Sequence, residues 1–210
     1  MRVVIAGGHG KIALKLQRLI AARGDSATGL VRNPDHFTDV WTAGGVPVLC
    51  DLETSDVAAV AEYLTGADAA VFAAGAGPGS GPERKDTVDR AAAALFAEAA
   101  QHAGVRRFVQ ISSMGVDKAD DPSVSPEFAL YLKAKRDAEE DLRARDLDWT
   151  VLRPGALTDD PATGKVTLAD GGLRGSIPRA DVAAVVLALL DRPDSVRRTY
   201  EVVSGDTPIR

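Results

Sequence analysis

MRVVIAGGHGKIALKLQRLIAARGDSATGLVR, residues 1–32, decides the fold. Arg2-Val3-Val4-Ile5-Ala6 is an apolar run suited to a buried strand. Gly7, Gly8, His9 and Gly10 follow at once, and Ile12, Leu16, Leu19 and Ile20 then recur at helical spacing. A second apolar run, 27–31, ends in Arg32. Strand, glycine turn, helix, strand is the opening of a mononucleotide-binding half. Gly7 and Gly10 lack Cβ atoms, so the backbone can turn tightly and come close to a pyrophosphate. A helix beginning beside Gly10 aims free N–H groups and the positive end of its dipole at that phosphate. The spacing is Gly7-x-x-Gly10-x-x-Ala13, with a small alanine where the helix must pack closely on the sheet. The same glycines also suit a turn of purely geometric purpose. Their place after a strand, before a helix and at the start of the chain favours phosphate.

Arg32 sets the expected nucleotide. An NAD site places Asp or Glu at the end of the second strand, on the ribose hydroxyls. Arg32 and Asn33 stand there instead, and the nearest acids, Asp25 and Asp35, do not. A guanidinium grips a 2′-phosphate through two parallel hydrogen bonds, so NADP(H) is expected in preference to NAD(H). The alternative is a solvated arginine in a surface loop.

The length of 210 residues suits one doubly wound domain over 1–210, with a substrate-side flap around 156–176. Hydrophobic residues make up 45% and aromatics only 5%, so the core is expected to be aliphatic and alanine-rich. The formal charge of −5 argues against a general nucleic-acid binder. Cys50 stands alone, which permits no internal disulfide and fits a reducing cytoplasm. Its favoured reading is a small buried hydrophobe. No charged-then-apolar leader opens the chain, and no run approaches a membrane span. The expectation is a cytoplasmic protein, monomeric or a small homo-oligomer, with a small-molecule substrate and no membrane or nucleic-acid partner.

Further strands are expected at 46–50, 68–74, 106–112, 149–152, 166–168 and 199–203, and helices at 57–64, 84–103, 129–145 and 181–191. This alternation gives an α/β fold, a mainly parallel sheet with helices on both faces. The glycine-rich loop 75–82 follows the fourth strand, on the carboxyl edge where such sheets bind ligands.

Tyr131 and Lys135 lie four apart and share a helical face. Ser112 and Ser113 close the fifth strand. A phenol with a pKa of about 10 is a poor base at neutral pH, and a neighbouring ammonium favours its ionised form. A serine can then orient a substrate carbonyl while the tyrosine gives or takes the proton. Hydride exchange with a nicotinamide would complete a redox reaction. The Tyr-x-x-x-Lys spacing also arises by chance on a helix that carries Lys133, Arg136, Arg143 and Arg145.

Taken together, these motifs span nearly the whole chain in order. They are Gly7-Gly8-His9-Gly10-Lys11-Ile12, Leu30 to Pro34, Asp51-Leu52, Gly104 to Ser113, Tyr131 to Lys135, Leu152-Arg153-Pro154-Gly155 and Arg179 to Ala183. The chain resembles an atypical short-chain dehydrogenase/reductase of the small NAD(P)H-binding, NmrA-like branch, related to NAD-dependent epimerases and dehydratases. The resemblance implies a Rossmann-like doubly wound fold. It implies that the turn from Gly7 to Ile12 carries the pyrophosphate, Arg32 and Asn33 the 2′-phosphate side, and Asp51 and Leu52 the adenine. Ala73, Ala74 and Gly75 would line the path to the nicotinamide ribose, and Pro154 and Gly155 would approach the nicotinamide amide. Tyr131 would be the acid/base, Lys135 its support and ribose anchor, and Ser113 or Ser112 the carbonyl orienter.

Two departures stand out. His9 replaces the threonine or asparagine of many relatives, and Asp89 stands where fuller enzymes keep an asparagine that holds a relay water. His36 and His102 read as surface residues without a metal-ligand partner. The function implied is an NADP(H)-dependent oxidoreductase acting on a small carbonyl or conjugated substrate. The alternatives are a non-catalytic NADP(H)-binding redox sensor and, with less support from a chain of this length, a nucleotide-sugar epimerase or dehydratase.

Overall fold

In the computed structural model, which describes residues 1–77 and 81–210, strand β1 (Arg2–Ala6) lies inside a nine-stranded sheet with its last four residues buried. The apolar run that opens the chain is covered on both faces, as a central parallel strand must be. The chain continues through α1 (Lys11–Ala22), β2 (Ser26–Val31), α2 (Phe37–Thr42), β3 (Val46–Leu49), α3 (Val57–Leu64) and β4 (Ala69–Phe72). Helix α4 is α-wound over Pro82–Arg84, π-wound over Lys85–Ala91 and α-wound again over Ala92–His102. Then come β5 (Arg107–Ile111), α5 (Pro126–Ala144), β6 (Asp148–Pro154), β7 (Ala156–Thr158), β8 (Lys165–Ala169), β9 (Ser176–Pro178), α6 (Arg179–Leu190), β10 (Arg198–Ser204) and β11 (Thr207–Pro208).

The strand order is β11-β8-β10-β6-β5-β4-β1-β2-β3. From β3 to β10 every pairing is parallel; β8 runs antiparallel against β10 and β11. The direction of winding reverses between β1 and β4, and such switch points open the crevice in which α/β proteins bind ligands. The expected Rossmann-like doubly wound fold is therefore present.

Two apolar layers hold the helices to the sheet. On one face α3, α4 and α5 bring Leu64, Phe96 and Leu142 against Phe72 and Phe108. On the other, α1 and α6 bring Leu16, Ile20, Val182 and Val186 against Val3 and Ile5. Phe96 is fully buried, with ring centroids 6.2 Å from Phe72 and 5.8 Å from Phe108.

Several local features differ from the sequence expectation. Asn33 caps a 3-10 turn at Pro34–His36 that runs on into α2, a helix absent from the expected set. Helix α5 starts at Pro126, three residues early, because Pro126 suits a first turn and the Ser125 hydroxyl accepts the Phe128 N–H. Segment 156–176 is not all flap: β8 joins the main sheet, and only β7 and β9 form a separate two-stranded pair. No helix among the described residues is long and apolar enough to cross a membrane.

Phe96→Ala removes the ring on which both neighbouring phenylalanines rest. It is expected to cost about 3–5 kcal/mol of folding free energy. Urea unfolding should show a lower midpoint at an unchanged slope.

Candidate cofactor and catalytic site

The glycine turn is wedged between the strands on either side of β1. Gly7 has a φ of +74°, and a Cβ on it would stand 2.6 Å from Ala74 Cα. A Cβ on Gly8 would stand 2.6 Å from Gly29 Cα. Both collisions are with backbone, so neither position admits a side chain. The Gly8 N–H donates to Leu30 O at 2.9 Å, and the Gly10 N–H to Gly7 O at 2.9 Å. The first helical donor of α1 is Leu14 N–H, onto Gly10 O. No side chain caps the helix and no acid lies in its first turn. The N–H groups of Lys11, Ile12 and Ala13 therefore stay open, and this is the donor set a diphosphate needs. Below them the buried Gln17 amide donates to Gly8 O at 2.7 Å and to Ala13 O at 3.2 Å. Its carbonyl oxygen fills the space that a Cβ on Gly29 or Gly45 would take, 2.8 and 2.0 Å away. Sequence reasoning passed over Gln17, although a polar residue on an otherwise apolar helix face was a usable signal.

From the turn a cleft runs along the ends of β2 and β3, lined by Arg32, His36, Cys50, Asp51 and Leu52, with Arg84 and Val88 of α4 opposite. Arg32 is thus on the cleft, but its guanidinium meets Glu53 at 3.2 Å. Glu53 also takes Arg84 Nη2 at 2.8 Å and the Thr87 hydroxyl at 2.6 Å. This one carboxylate straps the loop after β3 to α4 and neutralises part of the expected phosphate clamp. Arg84 Nε is buried without a hydrogen-bond partner among the described residues. Asn33 lies off the cleft: its Oδ1 accepts the Asp35 N–H at 3.0 Å and caps the 3-10 turn. Asp51 lines the cleft while Oδ1 accepts the Glu53 N–H at 3.0 Å. His9 Nε2 lies 2.7 Å from Asp39 Oδ2, and its ring stacks on His36 at 3.6 Å and 8°. His36 is therefore no plain surface residue; His102, at the end of α4, is exposed. Cys50 is buried, and burial pushes its thiol pKa up.

Beyond Ala73, Ala74 and Gly75 the cleft opens into a cavity of about 860 Å³, within the range of small-molecule sites. Lys11 and Ile12 of α1 line it, facing Lys85, Asp89, Ser112, Phe128, Tyr131, Lys135, Leu157 and Arg179. Lys135 Nζ lies 3.0 Å from Asp89 Oδ1 and 3.5 Å from Ala74 O. Asp89, at 0% exposed, is the fixed counter-ion of a buried lysine. Burial opposes the Lys135 charge, but Tyr131 and Asp89 outweigh it and hold the ammonium pKa above its ordinary value. Lys135 and Lys85 sit 5.9 and 5.1 Å from the Tyr131 ring centroid, and Phe128 stacks on the ring at 5.7 Å. Among the described residues the Tyr131 hydroxyl has no hydrogen-bond partner.

The serines are otherwise engaged. Ser112 lines the cavity, but its hydroxyl donates to Glu139 at 2.5 Å. Glu139 is fully buried and holds Arg153 at 2.7 and 3.0 Å and Arg143 at 2.7 Å. Ser113 lies off the cavity and donates to Met114 O at 3.1 Å. Pro154 and Gly155 are also off it: Pro154 O accepts the Met114 N–H, and the Gly155 N–H donates to Val202 O. A Cβ on Gly155 would stand 2.4 Å from Gly175 O, so glycine lets β7 leave β6 sharply. That exit places Leu157 in the lining. Asp159 joins Lys11 at 2.5 Å and Arg179 at 2.8 Å, tying this segment to the glycine turn. Lys85, Arg84 and Glu53 had no spacing signal, because their meeting is set by tertiary structure.

Residues 7–193 match the model of a family described as NAD(P)H-binding. A Bacillus subtilis protein called an uncharacterized sugar epimerase is 36% identical, covering 100% of this chain and 97% of its own. A solved structure from Bacillus halodurans, provisionally named an NAD-dependent epimerase/dehydratase, superposes with a TM-score of 0.92 at 34% identity, over 100% of this chain and 96% of its own. The structure of an anaerobilin reductase from Escherichia coli gives a TM-score of 0.80 at 25% identity, covering 98% of each chain.

Burial of the Cys50 thiol on the wall of the cleft predicts slow chemistry. Its reaction with a disulfide reagent at pH 8 should be at least about tenfold slower than that of free cysteine. Saturating NADPH should slow it further, as followed by thiolate release.

Proposed function

The chain belongs to the NAD(P)H-binding family, and on that premise we propose that it is an NADP(H)-dependent oxidoreductase acting on a small carbonyl or conjugated substrate. The observation that carries this reading is the Tyr131 hydroxyl, unpartnered among the described residues and set in a cavity continuous with the uncapped N-terminus of α1. When bound, the nicotinamide supplies or accepts the hydride. The turn from Gly7 to Ile12 holds the diphosphate on backbone N–H groups. Arg32 and Arg84 take the 2′-phosphate in exchange for Glu53. Lys135, fixed by Asp89, anchors the ribose and stabilises negative charge on Tyr131. Tyr131 gives the proton to the substrate oxygen in the reducing direction and takes it back in the other. Phe128 and Leu157 keep water from the reacting face.

The serines support a second reading. With Ser112 given to Glu139 and Ser113 to Met114, neither serine after β5 has its proton free to orient a carbonyl. A protein that binds NADP(H) and reports its redox state needs no such donor. Epimerisation, the activity in the names of relatives, would convert a nucleotide sugar without net oxidation of NADPH.

A thermal-shift titration with NADPH, NADP⁺, NADH and NAD⁺ separates these readings at the first step. Ligand at about a hundred times its Kd should stabilise the protein by roughly 2.7 kcal/mol. NADP(H) is expected to outperform NAD(H), and Arg32→Ala to abolish the difference. Glu53→Gln, which frees both arginines, is expected to tighten NADPH about three- to tenfold. Equal losses of NAD and NADP affinity in Arg32→Ala would overturn the NADP assignment.

Turnover is tested by NADPH oxidation with a panel of quinones and aldehydes. Tyr131→Phe should lower kcat about a hundredfold or more while leaving the NADPH Kd unchanged. Unchanged turnover removes Tyr131 from the chemistry. Tight NADPH binding with no acceptor found favours the sensor.

A further inference from the structure

Lys85 is a buried charged group of the cavity that the chemistry above does not use. It is only 8% exposed, yet among the described residues it has no carboxylate partner. Its ammonium donates to Gly77 O at 2.8 Å and lies 5.1 Å from the Tyr131 ring centroid. An ammonium has three hydrogens to donate, and a buried one without a counter-ion is costly. The other cations of the cavity wall each have a carboxylate partner. Lys135 is neutralised by Asp89, and Lys11 and Arg179 share Asp159. Asp86, next to Lys85 in the chain, is bound by Arg90, and Glu127 sits exposed at the rim.

The helix geometry accounts for this position. Over Lys85–Ala91 α4 is π-wound, a form that is rare and concentrated at functional sites. Lys85 and Asp89 of this stretch line the catalytic cavity, while Arg84, Val88 and Ala92 line the nucleotide cleft. The one helix serves both chambers, and it points its uncompensated cation into the substrate side. Apolar side chains share its cavity. Phe128 and Leu157 line the same cavity and are 48% and 39% exposed, and Phe128 continues the stack on Tyr131.

We infer that the cavity takes a planar conjugated substrate bearing a carboxylate or similar oxyanion, with the anion on Lys85 and the flat body between Phe128 and Leu157. This rests on the oxidoreductase reading only in placing the substrate beside the nicotinamide. The anion on Lys85 fixes which end of the molecule faces Tyr131. It also cancels the buried charge that the empty cavity leaves unmatched.

The test uses a matched pair of probes, 2-naphthoate and 2-naphthamide, titrated by calorimetry at constant ionic strength with and without saturating NADP⁺. NADPH binding is measured separately by fluorescence. Wild type should bind the carboxylate about tenfold or more tighter than the amide, as a charge-assisted contact implies. Lys85→Met should bring the two probes to parity with an unchanged NADPH Kd. Lys85→Arg, which keeps the charge, should keep the preference, so a folding defect in Lys85→Met is recognised. Parity in wild type, no measurable binding of either probe, or a preference that survives Lys85→Met overturns the inference. A loss of NADPH affinity in Lys85→Met also overturns it, by making Lys85 a cofactor ligand. Probe discrimination that depends on Lys85 in a protein that binds no NADPH leaves the inference standing and removes the cofactor reading instead.

Discussion

Much of the site depends on one close approach, that of the first glycine turn to the strands beside it. Gly7 rides against the backbone of Ala74 and Gly8 against Gly29, each with a gap that no Cβ could enter. That contact brings the uncapped end of α1 to the crevice where the sheet reverses its winding. It also sets the position of Ala73 to Gly75, which form the floor shared by the nucleotide cleft and the cavity around Tyr131. Gln17 locks the arrangement from below, since its amide ties Gly8 to Ala13 within α1. A larger residue at either glycine would move the phosphate cradle and the floor together.

The Tyr131 end of the cleft is organised by charge instead of by close packing. Glu139 collects Ser112, Arg143 and Arg153 in the buried wall of α5, and Arg153 reaches on to Asp117. A carboxylate with this many donors is satisfied, and removing one partner would leave an uncompensated group in a poorly polarisable setting. One helical turn earlier on α5, Lys135 is pinned by Asp89 from α4. The two networks hold α5 at the sheet edge from both sides, and so they hold Tyr131 over the cavity. The substitution of asparagine by aspartate that the resemblance marks as a departure is, in this chain, the source of the pin. A neutral amide at position 89 would leave the Lys135 ammonium without its counter-ion.

The fold was legible because it follows from backbone-level rules. The buried run of β1, the glycines after it and the 3.6-residue apolar period of α1 each have a single inexpensive solution, and the later strands repeat it. Tyr131, Lys135, Arg32 and the glycine turn were legible for the same reason, since each is fixed by its place on one element. What stayed hidden depends on side chains meeting across elements. Glu53 reaches Arg32 and Arg84 from a loop, and nothing in its neighbours announces that. Pro154 and Gly155 matched a motif, yet they act by steering β7, and Leu157 takes the place in the lining. The π-winding of α4 also escapes pattern reading, because its residues are ordinary helix formers and a one-residue change of register leaves no mark in composition.

The two ends of the cleft differ in charge balance. At the nucleotide end Arg32 and Arg84 converge on Glu53, and Asp51 lines the same wall; at the Tyr131 end the buried lysines outnumber the buried acid by one. The second chamber therefore holds more positive charge than its buried residues cancel, in a chain whose formal charge is −5. Surplus cation in a concave, partly desolvated site is stabilised by anions from solution, and the field is strongest where water is scarcest. Helix α4 carries Arg84 into one chamber and Lys85 into the other, so the start of its π-winding is where one helix turns from the first chamber to the second.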